Sequence, residues 1–482
     1  MLTEQFRNSK KYKATSPYHT APDTDSVNYL TDLNFVQTES AKNFFLPENR
    51  PIGYRLFAEA ANKAGGVISL KHFVKNIFII SDPLIAKELL TTHASKLVRK
   101  GIMNNLLRTH IGDSVLTLSG KEWLPLRQAI NPSLTDSAVT SYLPSIINSF
   151  AKRMDHWLDQ SRSKQIAIDQ VEIYTTLYYV VSKLLFGVRF DKEDIDKLIE
   201  YDFSMFSLWR ELAPRIISPP SWVPLTLENR IKRLTVKTDK ILQEYLVKFQ
   251  EHSESRQSNY CILTSVIAGE STKNRCPLRF NHKKPIDLIK TLFYAATFTT
   301  ALTLEWALRI LSTREDLWET IKTEIDTLVA DDLSIINAMP NLIKTKAFVL
   351  EVARLYSVLP SVFKTASSDI NFSLGFIPRG SAVITSIHGI HTNSLYWEDP
   401  FAIKLDRFIL NGFTPEAYWP FSLGANSCPG RTLALSELVA ALALIVRRFN
   451  ILSQPNLSLE GGCEGQVLKP LYPGNYLFEP RH

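Results

Sequence analysis

The stretch that decides the fold is Phe421-Ser-Leu-Gly-Ala-Asn-Ser-Cys428-Pro-Gly430, a short loop that leads into an apolar helical pattern from Thr432 to Phe449. Gly424 and Gly430 permit positive φ angles and let a flat ligand approach the backbone. The start of the helix points N–H groups at Cys428, which favours its thiolate over its thiol. Taken alone, a lone cysteine before a helix is more often a buried apolar residue. The rest of the chain must therefore support a metal-binding interpretation.

The length and composition indicate one large domain. The 482 residues are 45% hydrophobic and 11% aromatic, and no linker-like stretch divides them. We predict a polar, flexible arm over residues 1–30 and a single catalytic domain over residues 31–482. Helices are expected at about 51–64, 137–159, 167–187, 195–212 and 227–252, and strands at 67–74, 77–80, 358–367, 371–376 and 382–387.

Charge, cysteines and hydropathy exclude several classes of protein. The net charge is +7, but the basic residues are scattered without an Arg/Lys block, so we expect no nucleic-acid binding. Cysteines at 261, 276, 428 and 463 form no C-x-x-C pair, which argues against zinc and disulfides. The first residues have no apolar segment for a signal peptide or transmembrane anchor, and residues 291–304 are too short to span a bilayer. We expect a soluble, cytoplasmic protein.

Three upstream motifs accompany the cysteine loop. They are Trp123-Leu-Pro-Leu-Arg127, Glu351-Val-Ala-Arg354 and Asp406-Arg407-Phe408. Together and in this order, they resemble the motifs of the cytochrome P450 superfamily, whose cysteine loop is F-x-x-G-x-x-x-C-x-G and whose earlier motifs are E-x-x-R and x-x-R-F. The separation between Glu351 and Cys428, 428 − 351 = 77 residues, fits the family. The resemblance extends from about residue 50 to the C-terminus and is closest to the soluble, bacterial-like type.

The resemblance implies a mainly α fold with small β-sheets, a prism-like single haem-thiolate domain. Haem b would lie between a long distal helix and the proximal cysteine loop. Cys428 would be the iron ligand. The residues expected to bind the cofactor match family motif positions and are Cys428, Phe421, Gly424, Gly430, Trp123, Arg127, Lys364 and Asn426. Asn426 stands where the family usually has Arg or His, so we expect a weaker propionate contact there. For Trp123 the alternative is core packing.

Behind the cysteine loop, the resemblance implies a network of Glu351, Arg354 and Arg407. Charge-assisted hydrogen bonds among these side chains would hold the loop in place without touching substrate. Ser119 and Glu122 match a capping box, which would start a helix carrying Trp123 and Arg127 on one face.

The expected distal helix runs from about Ile286 to Leu311. Its Ala295-Ala296-Thr297-Phe298-Thr299 matches the family's A-G-x-[DE]-T pattern, except that Phe298 replaces the acid. Thr299 is the expected catalytic residue, together with Thr300, and its hydroxyl should bond back to the Ala295 carbonyl. Plain helix packing is the alternative for Thr299. Phe298 cannot relay a proton, which leaves the usual proton supply open.

An apolar substrate pocket is expected on this side. Its predicted lining residues are Ala295, Ala296, Phe298, Leu359, Val362 and Phe363. Residues 102–118, interpreted as a long loop, and the 205–225 region would complete the wall.

The resemblance implies a haem-thiolate monooxygenase that inserts one oxygen atom from dioxygen into a lipid or natural-product intermediate. Electrons would come from an acidic ferredoxin or flavodoxin with its reductase, because the chain is basic and only 54 residues follow Cys428. The expected docking residues are basic and are Lys344, Lys346, Arg431, Arg447 and Arg448. A peroxygenase, isomerase or dehydratase remains the enzymatic alternative, and a non-catalytic haem-binding or sensor protein the other one.

Overall fold

Helices dominate the structure, a computed structural model that describes residues 51–72, 75–160, 165–210, 226–254, 261–264, 266, 285–464 and 466–481. The predicted fold class, mainly α with small β-sheets, is confirmed in these ranges. The predicted arm at 1–30 and the 211–225 part of the predicted pocket wall lie outside the described residues.

The first group of helices precedes residue 255. They are α1 (Gly53–Lys63), α2 (Pro83–Thr91), α3 (Ile102–Ile111), α4 (Trp123–Ile130), α5 (Asp136–Gln160), α6 (Gln170–Phe186), α7 (Lys192–Arg210) and α8 (Leu227–Glu254). Side-chain caps set some of their starts. The Asp82 carboxylate accepts from the N–H groups of Leu84 and Ile85 at the start of α2, where Pro83 occupies the first turn.

The second group of helices contains the long distal helix and the helix that follows the cysteine loop. They are α9 (Pro285–Thr313), α10 (Glu315–Leu328), α11 (Ile335–Ala338), α12 (Ile343–Leu355), α13 (Ile387–His391), α14 (Asp406–Ile409) and α15 (Arg431–Arg448). The main apolar core lies where α9 packs against α6 and α15, and where α15 packs against α5.

The β-structure is divided among small sheets. The largest contains β1 (Val67–His72), β2 (Lys75–Ile80), β3 (Leu97–Val98), β5 (Ser361–Ala366) and β8 (Ala382–Ser386), in the spatial order β1-β2-β8-β5-β3. Only its β2–β8 pair is parallel. The other sheets are formed by β4 (Ile166–Asp169) with β12 (Asn475–Pro480) and β9 (Phe449–Ile451), by β6 (Ile370–Phe372) with β7 (Gly375–Ile377), and by β10 (Gly461–Glu464) with β11 (Val467–Pro470).

Two expectations about local structure are wrong. Residues 102–118 do not form one long loop, because α3 occupies Ile102–Ile111 between Gly101 and Gly112, which both have positive φ angles. The apolar face of α3 is short, and the Leu106 side chain is buried only because α7 and α8 pack on it. The predicted strand 371–376 is a hairpin of β6 and β7, since the chain turns at Ser373.

Within the described part of the chain, no helix has the length and apolar character needed to cross a membrane.

Candidate functional site

The cysteine loop, residues 421–430, ends at the start of α15. The Cys428 N–H donates to the Phe421 carbonyl oxygen at 2.9 Å, which closes the loop on itself. The Cys428 side chain is accessible to solvent, yet protein atoms surround it almost completely. A side chain with both properties faces an internal cleft rather than the outer surface. Cys428 is therefore placed to ligate a group bound inside the fold.

The two glycines of this loop have different roles. Gly424 has a φ of 73°, and a Cβ there would lie 2.5 Å from the Leu90 carbonyl oxygen at the end of α2, so glycine is required. Gly430 has an ordinary φ of −86°, so the positive φ that glycine permits is not adopted at this position. A Cβ at Gly430 would meet only the Cys428 sulfur, 3.9 Å away. The open space beside Gly430 leaves room for a flat ligand.

Burial raises the pKa of the Cys428 thiol, which corrects the expectation that the helix start favours the thiolate. The Gly430 N–H and the guanidinium groups of Arg127 and Arg431 lower this pKa, but desolvation outweighs them. The sulfur needs more positive charge than the chain supplies. A bound metal ion would provide it, because coordination removes the thiol proton.

Trp123 and Arg127 lie together on α4 beside the cysteine loop. The Arg127 guanidinium carbon is 5.9 Å from the centroid of the Trp123 ring. Nη1 of Arg127 donates to the Ser427 carbonyl oxygen at 2.7 Å, which ties α4 to the residue before Cys428. Asn426 lies in the short 3-10 turn Gly424–Asn426 of the same loop.

Arg99 belongs to this site, although the sequence analysis missed it. β3 and β5 pair so that Val98 lies opposite Thr365, and the next positions along this antiparallel register are Arg99 and Lys364. The Arg99 N–H donates to the Ser119 hydroxyl at 2.9 Å. The predicted capping box does not form, because the Ser119 side chain caps neither the short 3-10 turn Gly120–Glu122 nor α4, which begins without a side-chain cap.

Arg99, Arg127 and Lys364 form a cluster of cations. Lys364 is 6% exposed, and burial together with the charge of Arg99 lowers its pKa to about 7. Burial and the charge of Arg127 lower the pKa of Arg99 to about 10. Among the residues that the structure describes, no Asp or Glu forms an ion pair with any of the three. Carboxylate groups of a bound molecule would neutralise the cluster, and haem b carries such groups as propionates.

Thr299 lies near the middle of α9. Its hydroxyl donates to the Ala295 carbonyl oxygen at 2.7 Å, and the Thr303 hydroxyl donates to the Thr299 carbonyl oxygen at 2.9 Å. These bonds weaken the helical ladder over two successive turns. Ala295 is exposed and Thr299 half-buried, so this face of α9 borders a cleft. The Thr300 hydroxyl is buried elsewhere on the helix, without a hydrogen-bond partner in the described ranges.

Phe298 packs into the core instead of presenting a polar group. Its ring stacks on Phe206 of α7 at 4.0 Å between centroids and lies 5.2 Å from the Tyr174 ring of α6. It borders a cavity of about 10 Å³, enough for about one water molecule. The other residues lining this cavity are Tyr174, Phe203, Phe206, Glu464, Val467 and Lys469.

The other predicted pocket residues occupy different environments. Leu359 and Phe363 are 44% and 40% exposed, unusual values for large apolar side chains. Val362 is half-buried and packs against the core around β2 and β8, whereas Ala296 packs against the main core beside α9.

The Cytochrome P450 family model matches residues 43–478 of this sequence. The chain belongs to the cytochrome P450 family. It is accordingly a haem-thiolate monooxygenase that binds haem b. The residues described above fit that cofactor, because a cysteine faces an internal cleft and a cation cluster without acidic partners lies nearby.

Two plant relatives share about a quarter of their aligned residues with this chain. The P450 is 25% identical over 448 residues to Protein LUTEIN DEFICIENT 5, chloroplastic, of Arabidopsis thaliana, which covers 87% of this chain and 71% of that protein. It is 24% identical over 389 residues to Cytokinin hydroxylase of the same plant, covering 78% and 74%. A solved structure of a zebra fish cytochrome P450 with abiraterone has a TM-score of 0.73 and 20% identity, covering 89% of this chain and 100% of that one. These matches do not test the predicted resemblance to the soluble, bacterial-like type, which stays a prediction.

The structure brings Glu351, Arg354 and Arg407 of the P450 together behind the cysteine loop. Arg354 donates from Nε to Glu351 Oε2 at 2.7 Å and from Nη2 to Glu351 Oε1 at 2.8 Å. Arg407 Nε donates to Glu351 Oε1 at 3.2 Å. All three side chains are buried, so their charges are compensated mainly by one another and by backbone carbonyls.

Glu437 is a second buried carboxyl group, on α15 after the cysteine loop. Neither of its oxygens has a hydrogen-bond partner among the described residues. Burial alone raises its pKa to about 8 from an ordinary 4.5. Between pH 4.5 and about pH 8, the unfolded chain releases the Glu437 proton while the folded chain keeps it. Because the unfolded state gains this ionisation, the free energy of unfolding falls as pH rises from 4.5 to about 8.

We therefore expect Glu437→Gln to flatten the pH dependence of stability. Relative to wild type, the variant should gain roughly 3 to 5 kcal/mol in the free energy of unfolding between about pH 5 and about pH 8, because Gln cannot ionise. Denaturant titrations of both proteins at the two pH values measure this difference. Equal pH slopes would show that Glu437 ionises normally in the folded protein.

Proposed function

We propose that this P450 inserts one oxygen atom from dioxygen into a hydrophobic small molecule such as a lipid or a natural-product intermediate. The observation that carries the proposal is the exposed face of α9, where Ala295 and the Thr299 hydroxyl border a cleft within an otherwise buried helix. Leu359 and Phe363 add exposed apolar surface. Such a lining favours an apolar ligand, because binding removes apolar surface from water.

The chain's own residues would hold the cofactor and control the proton. When bound, haem with a cysteine thiolate ligand supplies the oxidising chemistry, since thiolate donation favours cleavage of the O–O bond. Cys428 would provide the thiolate, and Arg99, Arg127 and Lys364 would pair with the propionates. The Thr299 hydroxyl donates its one proton to the Ala295 carbonyl oxygen, so Oγ1 would accept from a water molecule in the cleft and hold that water in place as a proton source.

Protons would reach the cleft by a route without an acid at position 298. Phe298 is fixed in an aromatic stack with Phe206, so the family's usual relay is replaced by apolar packing. Water bound to the Thr299 hydroxyl is the proposed source. The replacement of the acid by Phe298 favours the enzymatic alternative, which is a peroxygenase, isomerase or dehydratase. None of these needs protons to be delivered to dioxygen.

A separate acidic electron carrier, a ferredoxin or flavodoxin with its reductase, is the proposed partner in a cytoplasmic setting. The net charge of +7 supports this. The expected docking residues are not equally available. Arg447 and Arg448 both pair with Asp332, at 3.3 Å for Arg447 Nη1. Lys344 is exposed and is the better candidate for contact with the partner.

Labelled dioxygen tests the proposal. Purified protein with ferredoxin, ferredoxin reductase and NADPH is offered fatty acids and terpenes under labelled oxygen gas. We expect one labelled oxygen atom in the product, and we expect Thr299→Ala to lower product formation on the order of 10²-fold through loss of the water that the hydroxyl positions. Thr291→Ala is the matched control, because the buried Thr291 hydroxyl donates to the backbone carbonyl oxygen of Asp287 on the same helix at 2.8 Å.

The alternative gives a different pattern. A peroxygenase would form product from hydrogen peroxide without reductant or oxygen gas, and an isomerase or dehydratase would form product with neither. Product without the gas label in wild type, at a rate unchanged by Thr299→Ala, would reject the monooxygenase proposal.

A further inference from the structure

A buried lysine connects three helices on the distal side of the protein. Lys290 lies in the second turn of α9 and is 2% exposed. Its Nζ lies 2.9 Å from Asp239 Oδ1 of α8 and 3.5 Å from Asp287 Oδ1 of α9. The same Nζ donates to the His110 carbonyl oxygen at the end of α3, at 3.1 Å. One ammonium group therefore joins α3, α8 and α9.

Asp287 holds the same end of α3 through the backbone. Its Oδ2 accepts from the Asp113 N–H at 3.0 Å. Gly112 has a φ of 74°, and a Cβ there would lie 2.0 Å from the Asp287 carboxyl carbon. The carboxyl group thus occupies the space that any other residue at 112 would need. The end of α3 is shaped around Asp287.

α3 has further attachments: the Thr235 hydroxyl of α8 donates to the Thr109 carbonyl oxygen at 3.5 Å, and the His110 ring lies 4.8 Å from the Tyr294 ring of α9. The Leu106 side chain packs with apolar residues of α7 and α8, and these are Met205, Leu208, Leu227 and Ile231. Before α3, Arg99 Nη1 donates to the Leu118 carbonyl oxygen at 2.8 Å within the cation cluster. The segment from Arg99 to Leu118, which contains α3, therefore extends from the expected propionate site to the distal helix. In that position it would form one wall of the cleft that the proposed function assigns to the substrate.

We propose that Lys290 and Asp287 form a latch that holds α3 against the distal helix and so controls the entry and exit of bulky ligands. The proposal rests on the proposed function, in which this cleft receives the substrate. Lys290 is a positioning residue, because its contacts are with α3, α8 and Asp287 of its own helix. Without the ammonium group, the Asp239 and Asp287 carboxylates would lose the cation that they share, and α3 would separate from α9 more often.

Azole binding measures the latch without turnover. Stopped-flow absorbance at the Soret band follows clotrimazole, a bulky azole, and imidazole, a small one, binding to haem-loaded protein. We expect Lys290→Met to raise the association and dissociation rate constants of clotrimazole by about tenfold, and to change those of imidazole less, because a small ligand needs less opening. Lys240→Met is the matched control, since Lys240 is an exposed lysine of α8 beside Asp239.

Hydrogen exchange gives an independent readout. The amides of α3 should exchange faster in Lys290→Met than in Lys240→Met, while amides of the β2 strand should not differ. Asp239→Asn keeps the side-chain shape and replaces Lys290→Met if that variant does not fold. Unchanged clotrimazole rates and unchanged α3 exchange in a folded variant overturn the latch alone. A wild-type protein with no azole-induced Soret shift overturns the proposed function, and the latch with it.

Discussion

Replacing Cys428 by alanine is expected to abolish the red-shifted Soret band of the reduced, carbon-monoxide-saturated protein and to bring product formation below detection. The shift requires thiolate ligation, and the described residues offer no other cysteine in the cleft that Cys428 faces. Cys261 is fully buried in the core, and Cys463 lies in β10. Alanine also removes the electron donation that favours O–O cleavage. Visible spectra of wild type and variant, each normalised to protein concentration, measure the effect.

Cys463→Ala provides the control for this experiment. Cys463 is half-buried in β10, lies opposite Leu468 of β11 and packs against the main core, outside the cysteine loop. This variant should keep the wild-type spectrum. A red-shifted band that survives in Cys428→Ala and disappears in Cys463→Ala would mean that the ligand has been assigned to the wrong cysteine.

The position of Cys428 was predictable because a contiguous motif carries it. The same holds for α9 and α15, whose long apolar patterns predicted their bounds to within two residues. The pKa of Cys428 was not predictable. Its direction depends on desolvation by residues distant in sequence, and that burial outweighs the helix start and the nearby arginines.

Arg99 and α3 were missed because tertiary packing determines them. Only the pairing of β3 with β5, two segments more than 250 residues apart, places Arg99 beside Lys364. The ten residues of α3 have too short an apolar pattern to be distinguished from a loop, and α7 and α8 supply the missing surface. Phe298 was identified as a departure from the family pattern, but its environment was not predictable, since the aromatic stack with Phe206 requires α7 and α9 to be in contact.

Glu351→Ala is expected to cost about 3 to 5 kcal/mol in the free energy of unfolding, because it leaves two buried guanidinium groups without their carboxylate. Glu351 is 0% exposed and accepts from Arg354, Arg407 and the Lys404 N–H. Denaturant titration measures the loss. Glu319→Ala is the matched control, because Glu319 is exposed and pairs with Lys322 on the surface at 3.3 Å, so its loss should cost under about 1 kcal/mol.

A double variant separates an unpaired charge from lost packing. If the cost arises from unneutralised guanidinium groups, Glu351→Ala combined with Arg407→Ala should be less destabilising than the sum of the single changes. Additive costs would show that each side chain acts through its own packing, and the network interpretation would fail.

Glu351→Ala should lose haem as well as stability, because His391 connects the network to the cysteine loop. The His391 ring donates from Nδ1 to the Arg354 carbonyl oxygen at 2.8 Å, and its Nε2 accepts from the Trp419 N–H at 2.8 Å. Burial and the charge of Arg354 lower the pKa of His391 to about 3, so the ring stays neutral and can make both bonds. Trp419 lies two residues before Phe421, where the loop begins.

If Arg354 is held less firmly, the cysteine loop should therefore become less ordered, because His391 links the two. In Glu351→Ala the Trp419 amide is expected to exchange with solvent faster, and the ratio of Soret to protein absorbance is expected to fall below that of Glu319→Ala. His391→Ala, which leaves Glu351 and both arginines paired, should give the same faster exchange at Trp419 with a smaller loss of stability. If His391→Ala leaves Trp419 exchange and haem content at wild-type values, the network stabilises the fold without positioning the cysteine loop.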